Sequence, residues 1–291
     1  MTRFAAYGDE ATKQALIADI AAKGPVYSGW LTNAAFEGDL SPISQTYGLH
    51  PAFVRLMPAL GGFGATDASL PFYGSVLESL PVGADTGALA RRFLLLAWTD
   101  PAHGVAQRLP LGSVLAAGEA IIDLVRASVT ARVDKKTWRA ARAALAKARA
   151  CEQAPEAAVD LVLSLAWDLE EAPGAAQDAM LVWSSQVMTD AAAAGPDTMT
   201  EEENQALFTA MRTHHEAAAA AVPDLKPGNA EAYERFQAEM GRLWDGDPAG
   251  KALKARSDAR GVRINAKVAA WREAMQAQLL ELAKAASLAA A

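Results

Sequence analysis

The chain has 291 residues, a net charge of −7 and a single cysteine. That length is enough for one large or two modest domains with a true core. The acidic balance argues against a general nucleic-acid binder, which is basic as a rule, and one cysteine excludes an internal disulfide.

Hydrophobic residues make up 52% of the chain and charged residues 21%, an ordinary globular balance. Alanine is the outlier, at 68 residues. It is the best helix former and costs no side-chain entropy, so the composition leans toward helix. The first twenty residues carry charges throughout and do not read as a signal peptide. The nearest approach to a membrane span, 111–129, contains Glu119, Asp123 and Arg126. A cytoplasmic protein of bacterial style, with no membrane association, is expected.

In chain order, Asp9 to Lys23 has a helical apolar pattern stopped by Gly24-Pro25. Short helices are expected around Trp30, from Ser41-Pro42 to Gly48, and from His50-Pro51 with Pro58 near its end. Gly61 to Gly74 reads as an irregular loop, too weak to be a nucleotide motif, and Ser75 to Leu80 as one more short helix. Asp85 to Val133 then holds the densest apolar run, Phe93 to Trp98, a polar turn, and a second apolar helix. This stretch is expected to form a central helical hairpin.

Beyond it the texture changes. Most glycines and prolines lie in the first 130 residues, and later helices are longer and more charged. Asp134 is placed to cap a helix to Ala150, Pro155 to start one through Leu169, and Gly174 one to Gly195. Thr200 with Glu203 forms a capping box, Asn229 caps the next helix, and Asp247-Pro248 opens the last, with a break expected around Gly261. No run of alternating polarity marks a strand. The fold class is therefore all-α, with roughly twelve to fourteen helices packed as a multi-helical globule or stacked helical hairpins. Residues 1–133 form the short-helix, aromatic-rich part and 134–291 the part with long charged helices, in one continuous domain or two. Leu94 to Trp98 is echoed by Leu163 to Trp167, 69 residues later, as stacked hairpins would produce.

Four polar residues are candidates for chemistry. Asp100 and His103 share a turn after the most apolar segment, where an oriented histidine acts as a general base. Glu119 and Asp123 are four apart on one helical face, a spacing that could hold a metal or share a proton. Each has a structural explanation beside the functional one: a plain Asp-Pro turn, and a solvent stripe paired with Arg126. His214-His215-Glu216 does not converge on a helix, so no metal site is expected. His50 reads as a helix start, Cys151 lacks a nucleophile signature, and the Lys135/Arg139/Arg142/Arg149 and Arg256/Arg260/Arg263/Lys267 stripes read as salt-bridged faces.

Two functions follow. The first is a non-catalytic interaction or scaffold protein, with a protein partner or self-association. The alternative is a small-molecule enzyme or ligand-binding protein, with its site near Asp100 and His103. Trp30, Tyr47, Phe63, Phe72, Tyr73 and Trp98 would line that site. No cofactor is indicated, and nucleic acid is not an expected partner.

Overall fold

The computed structural model describes residues 4–23, 41–61, 69–286 and 288. The expected helix around Trp30 and the Phe63 side chain lie outside them. The protein is all-α. Its elements are α1 (Glu10–Lys23), α2 (Ser41–Tyr47), α3 (Pro51–Gly61), α4 (Ser69–Ser79), α5 (Thr86–Leu94), α6 (Leu96–Thr99), a 3₁₀ turn at Ala106–Arg108, α7 (Ser113–Ser128), α8 (Lys135–Cys151), α9 (Glu156–Leu165), α10 (Ala175–Ala193), α11 (Glu201–Ala221), α12 (Ala230–Asp245) and α13 (Pro248–Lys284). Among the described residues, β pairing is confined to the isolated bridges Ala5 with Asp85 and Ala84 with Leu288. No described helix is long and apolar enough to cross a membrane. The chain groups into two units, Met1–Val187 with Ala269–Ala291, and Met188–Val268.

In the first unit α3 packs on α4 and α5, α5 on α7, and α7 on α8 and α9. The physical reason is a run of nearly all-apolar helices. Every residue of α3 from Ala52 to Gly61 is buried except Arg55. In α5 and α6, Phe93, Leu94, Ala97 and Trp98 are buried. The chain turns at Leu95, so the apolar run is two helical pieces rather than one. Trp183 of α10 is fully buried, with its indole N–H donating to the His103 carbonyl at 2.8 Å. Its ring meets the edge of Trp271 at 5.3 Å.

The N-terminal segment stitches this unit together. Ala6 N–H donates to Ala84 C=O at 3.0 Å and Tyr7 N–H to Tyr47 C=O at 2.7 Å. Tyr7 adopts a left-handed φ of 71° while its buried hydroxyl donates to Leu77 C=O at 3.1 Å. Gly48 has a φ of +62°, and a Cβ there would lie 2.0 Å from Ala5 O. The site needs glycine for both reasons. Lys13 satisfies the C-terminal end of α4, donating to Glu78 C=O at 2.7 Å and Leu80 C=O at 2.9 Å.

In the second unit α11 and α12 pack through Ala218, Val222, Ala232 and Phe236, and a smaller cluster joins Met199, Leu207 and Trp244. The capping box at Thr200 is complete: Glu203 N–H donates to Thr200 Oγ1 at 3.2 Å, and Thr200 N–H to Glu203 Oε2 at 2.8 Å. Arg256 and Arg263 of α13 pair with Glu203 and Asp197.

Three boundaries differ from the sequence reading. Residues 69–74 are helical, because burying Tyr73, Val76 and Leu77 extends α4 backward. α3 ends at Gly61 with Pro58 near its end, as expected, and the burial of Ala59 and Leu60 outweighs the lost hydrogen bond there. α9 stops at Leu165, because the Ala166 carbonyl is taken by Arg142 Nη1 at 2.7 Å. α13 continues through Gly261, where one glycine costs about 1 kcal/mol and good helix formers surround it.

Trp183→Ala is expected to cost about 3–5 kcal/mol in urea unfolding. Trp183→Phe, which keeps a ring and loses the His103 bond, should cost about 1–2 kcal/mol. A loss below about 1 kcal/mol for the alanine variant would contradict this packing account.

Candidate functional site

The starts of α3 and α5 lie together. Asp85 caps α5, its Oδ1 accepting from Ala88 N–H at 2.8 Å. Thr86 is fully buried and its Oγ1 accepts from His50 N–H at 2.8 Å. His50 in turn caps α3 through its ring, with Nδ1 accepting from Ala52 N–H at 3.0 Å. That bond assigns the tautomer with the ring hydrogen on Nε2.

Arg91 follows one turn later on the same face of α5 as Gly87. A Cβ at Gly87 would lie 2.9 Å from His50 Cδ2 and 3.0 Å from Arg91 Nη1. The missing side chain is what lets the imidazole and guanidinium lie over the start of α5. His50 is 2% exposed and Arg91 7%. Phe4 closes the other side of His50, edge to face at 4.9 Å.

The carboxylates come from the loop after α9. Glu170 Oε1 accepts from Arg91 Nη2 at 2.7 Å and lies 3.3 Å from His50 Nε2. The His50 contact is close but not aligned for a full hydrogen bond. Together His50 and Arg91 hold the Glu170 carboxyl down to about 2, against the ordinary 4.5. Asp168 Oδ1 accepts from Glu170 N–H at 3.1 Å and lies 4.0 Å from Arg91 Nη2. Asp168 Oδ2 is buried with no hydrogen-bond partner, the one carboxylate oxygen in that condition among the described residues.

The loop is held firmly. Glu171 and Ala172 N–H groups donate to the Asp168 carbonyl at 3.0 and 2.8 Å. From α8, the Arg142 guanidinium stacks 4.0 Å over Trp167, and Lys135 pairs with Glu171 at 2.8 Å. The basic stripe of α8 thus clamps the segment that presents Asp168 and Glu170.

These groups line a cavity of about 220 Å³, closed by Phe4, Asp85 and residues 128–133 at the end of α7. No group of three or more His, Cys, Asp or Glu side chains suited to a metal is found among the described residues.

The four residues singled out from sequence lie elsewhere. Asp100 Oδ1 accepts from the backbone N–H groups of Ala102 at 3.0 Å and His103 at 2.6 Å, an Asx turn. The His103 ring Nδ1 is buried without a partner, and its carbonyl receives Trp183. Glu119 is exposed, and Asp123 pairs with Arg126 at 2.8 Å on the surface. The Asp100 carboxylate thus holds the His103 backbone N–H and not its ring, and among the described bonds neither residue meets Glu119 or Asp123. His214, by contrast, lies 3.2 Å from Asp247 and packs its edge on Trp244 at 4.6 Å. His50, Arg91, Asp168 and Glu170 were not singled out as a site in sequence. The available signal was Arg91 standing in an apolar helix on one face with Gly87, Leu94 and Trp98. No protein-family model, curated protein or solved structure matches the chain.

Gly87→Ala should lower stability by about 1 kcal/mol, overpacking outweighing the gain in helix propensity. Gly241→Ala in α12, where a Cβ meets nothing within 4 Å, should raise it. Equal signs in urea unfolding would contradict the close approach at Gly87.

Because the folded Glu170 carboxyl is depressed, its contribution is complete above about pH 4.5 and is lost as pH falls toward about 2. The melting temperature of Glu170→Gln should therefore fall less steeply than wild type between pH 5 and pH 3. Parallel acid limbs would show that the carboxylate is not held by His50 and Arg91.

Proposed function

We propose that the protein binds a small polar molecule in the cavity bounded by His50, Arg91, Asp168 and Glu170. One observation carries this reading: Asp168, one of the residues lining that cavity, holds a buried carboxylate oxygen, Oδ2, that has no hydrogen-bond partner. Leaving a buried acceptor unpaired costs about 1–3 kcal/mol, more for a charged group. A purely structural cluster would be expected to close over it. The surrounding groups are preorganised, with His50 and Asp85 locked as helix caps and Glu170 shared between His50 and Arg91. Rigid polar groups converging on a small concavity are what a ligand site requires.

The interaction or scaffold reading draws on a different surface. Phe208 is 73% exposed and Met211 47%, and with Trp244 and Met240 they border an apolar groove of about 390 Å³ on α11 and α12. Exposed apolar side chains are common on folded proteins, whereas an unpaired buried carboxylate oxygen is rare and costly. The cavity therefore supports the better reading.

The test is a thermal-shift screen of small polar compounds against wild type and Ala131→Trp. Ala131 lines the cavity yet is exposed, so its tryptophan plugs the mouth without disturbing the core. A saturating ligand at about 100 times its Kd stabilises by about 2.7 kcal/mol. Hits should lose that shift in the plugged variant. Hits that shift both proteins equally would overturn the site.

A further inference from the structure

Independently of the cavity, we propose that the α11–α12 face of the second unit binds a second copy of this chain, antiparallel about a two-fold axis, to form a four-helix bundle. The face is apolar and open: Phe208 is 73% exposed, Met211 47% and Tyr233 57%. Two grooves run along it and share His215. One, of about 390 Å³, is bordered by Phe208, and the other, of about 540 Å³, by Tyr233 and Phe236. Contiguous exposed apolar surface of this kind marks an interaction site. A seam between two antiparallel helices is filled by further helices lying along it.

Charge identifies the occupant. Arg212 and Glu216 are exposed, line the first groove, and lie four residues apart on α11. The ion pairs of α11 are His214 with Asp247 and Glu203 with Arg256. Among the described residues Arg212 and Glu216 make none, not even with each other. Two opposite and unanswered charges on one surface are what a self-complementary contact uses. A two-fold axis at the level of His214 sets Arg212 against Glu216 of the second copy, and Glu216 against Arg212 of that copy. The same axis turns Glu201, seven residues before Phe208 on the same helical stripe, toward Lys226 beside the second groove. Those two charges also lack an ion pair among the described residues.

Shape agrees with charge. The large exposed side chains of α11, Phe208 and Met211, lie in its first half, and its last five residues, 217–221, are all alanine. The two-fold axis brings Phe208 level with Ala219 and Ala220 of the second copy, so large residues meet small ones. At that level Ala218 and Ala219 pack with Ala232 and Phe236 of α12. Phe208 of each copy therefore enters the other's second groove, beside Tyr233. An unrelated partner would leave this correspondence about one point without a physical reason.

The experiment is analytical ultracentrifugation of the full chain from submicromolar to near-millimolar concentration, with circular dichroism confirming that each variant is folded. Wild type should reach twice 30.6 kDa as concentration rises. Phe208→Asp, at an exposed position, should stay monomeric. Arg212→Glu and Glu216→Arg each set like charges opposite one another, and each should weaken the dimer at least tenfold. Mixed in equal amounts, these two charge variants should associate as tightly as wild type, because every altered residue then faces the opposite charge on the other copy. An effect confined to α11 of one chain would not recover on mixing. A wild type that is monomeric throughout, or a dimer left intact by Phe208→Asp and the charge variants, overturns the proposal. So do charge variants that fail to recover on mixing, and a mass beyond the dimer, which a closed two-fold contact forbids.

Discussion

Arg91 is buried in an apolar helix, and the local structure follows from giving that charge a counter-ion. Desolvating a guanidinium costs several kcal/mol, repaid only by close, well-oriented partners. Glu170 supplies the close one, at 2.7 Å. To place Glu170, α9 must end at Leu165 and the next residues must turn back toward α5. Arg142 stacks on Trp167 and binds the Ala166 carbonyl, while Lys135 holds Glu171, and so the turn is kept in place from α8. His50 reaches the same carboxylate because Gly87 leaves room for its ring.

This arrangement separates the two acids. Glu170 is matched by an arginine and a histidine and is satisfied. Asp168 is anchored by one oxygen to the Glu170 amide, and its other oxygen is buried without a hydrogen-bond partner. A buried ion pair repays its desolvation best where the remaining lone pairs are hydrogen-bonded. On the proposed reading, this half-satisfied carboxylate belongs to a binding site kept at some expense of stability. That contrast carries the functional reading, since no related protein informs it.

Much of the fold was legible in the sequence where the determinants are local. The Thr200–Glu203 capping box, the Asp134 and Asn229 caps and the start of α3 at Pro51 each depend on residues no more than three apart. The packing of α5 on α7 was legible from the unbroken apolar run Phe93 to Trp98 and the apolar residues of α7. The site was not, because its parts are distant in the chain: Arg91 and Glu170 are 79 residues apart. Arg91 and Arg92 look alike in sequence, yet only the first shares a face with Gly87, Leu94 and Trp98 and points inward. Asp100, Glu119 and Asp123 attracted attention because they are acids near apolar runs. Helical phase places Glu119 and Asp123 outward, and turn chemistry occupies Asp100. Asp168 was read as part of a helix to Leu169, and that helix ends sooner, where Arg142 takes the carbonyl of Ala166, 24 residues further along.

The central claim is that Asp168 is held for a ligand and not for the fold. Equilibrium urea unfolding of Asp168→Asn at pH 7 tests it most directly. The variant keeps the Oδ1 acceptor for the Glu170 amide and removes the unpaired charge. The account predicts stability equal to wild type within about 1 kcal/mol, or higher. A loss above about 3 kcal/mol, the mark of a broken buried ion pair, would contradict it.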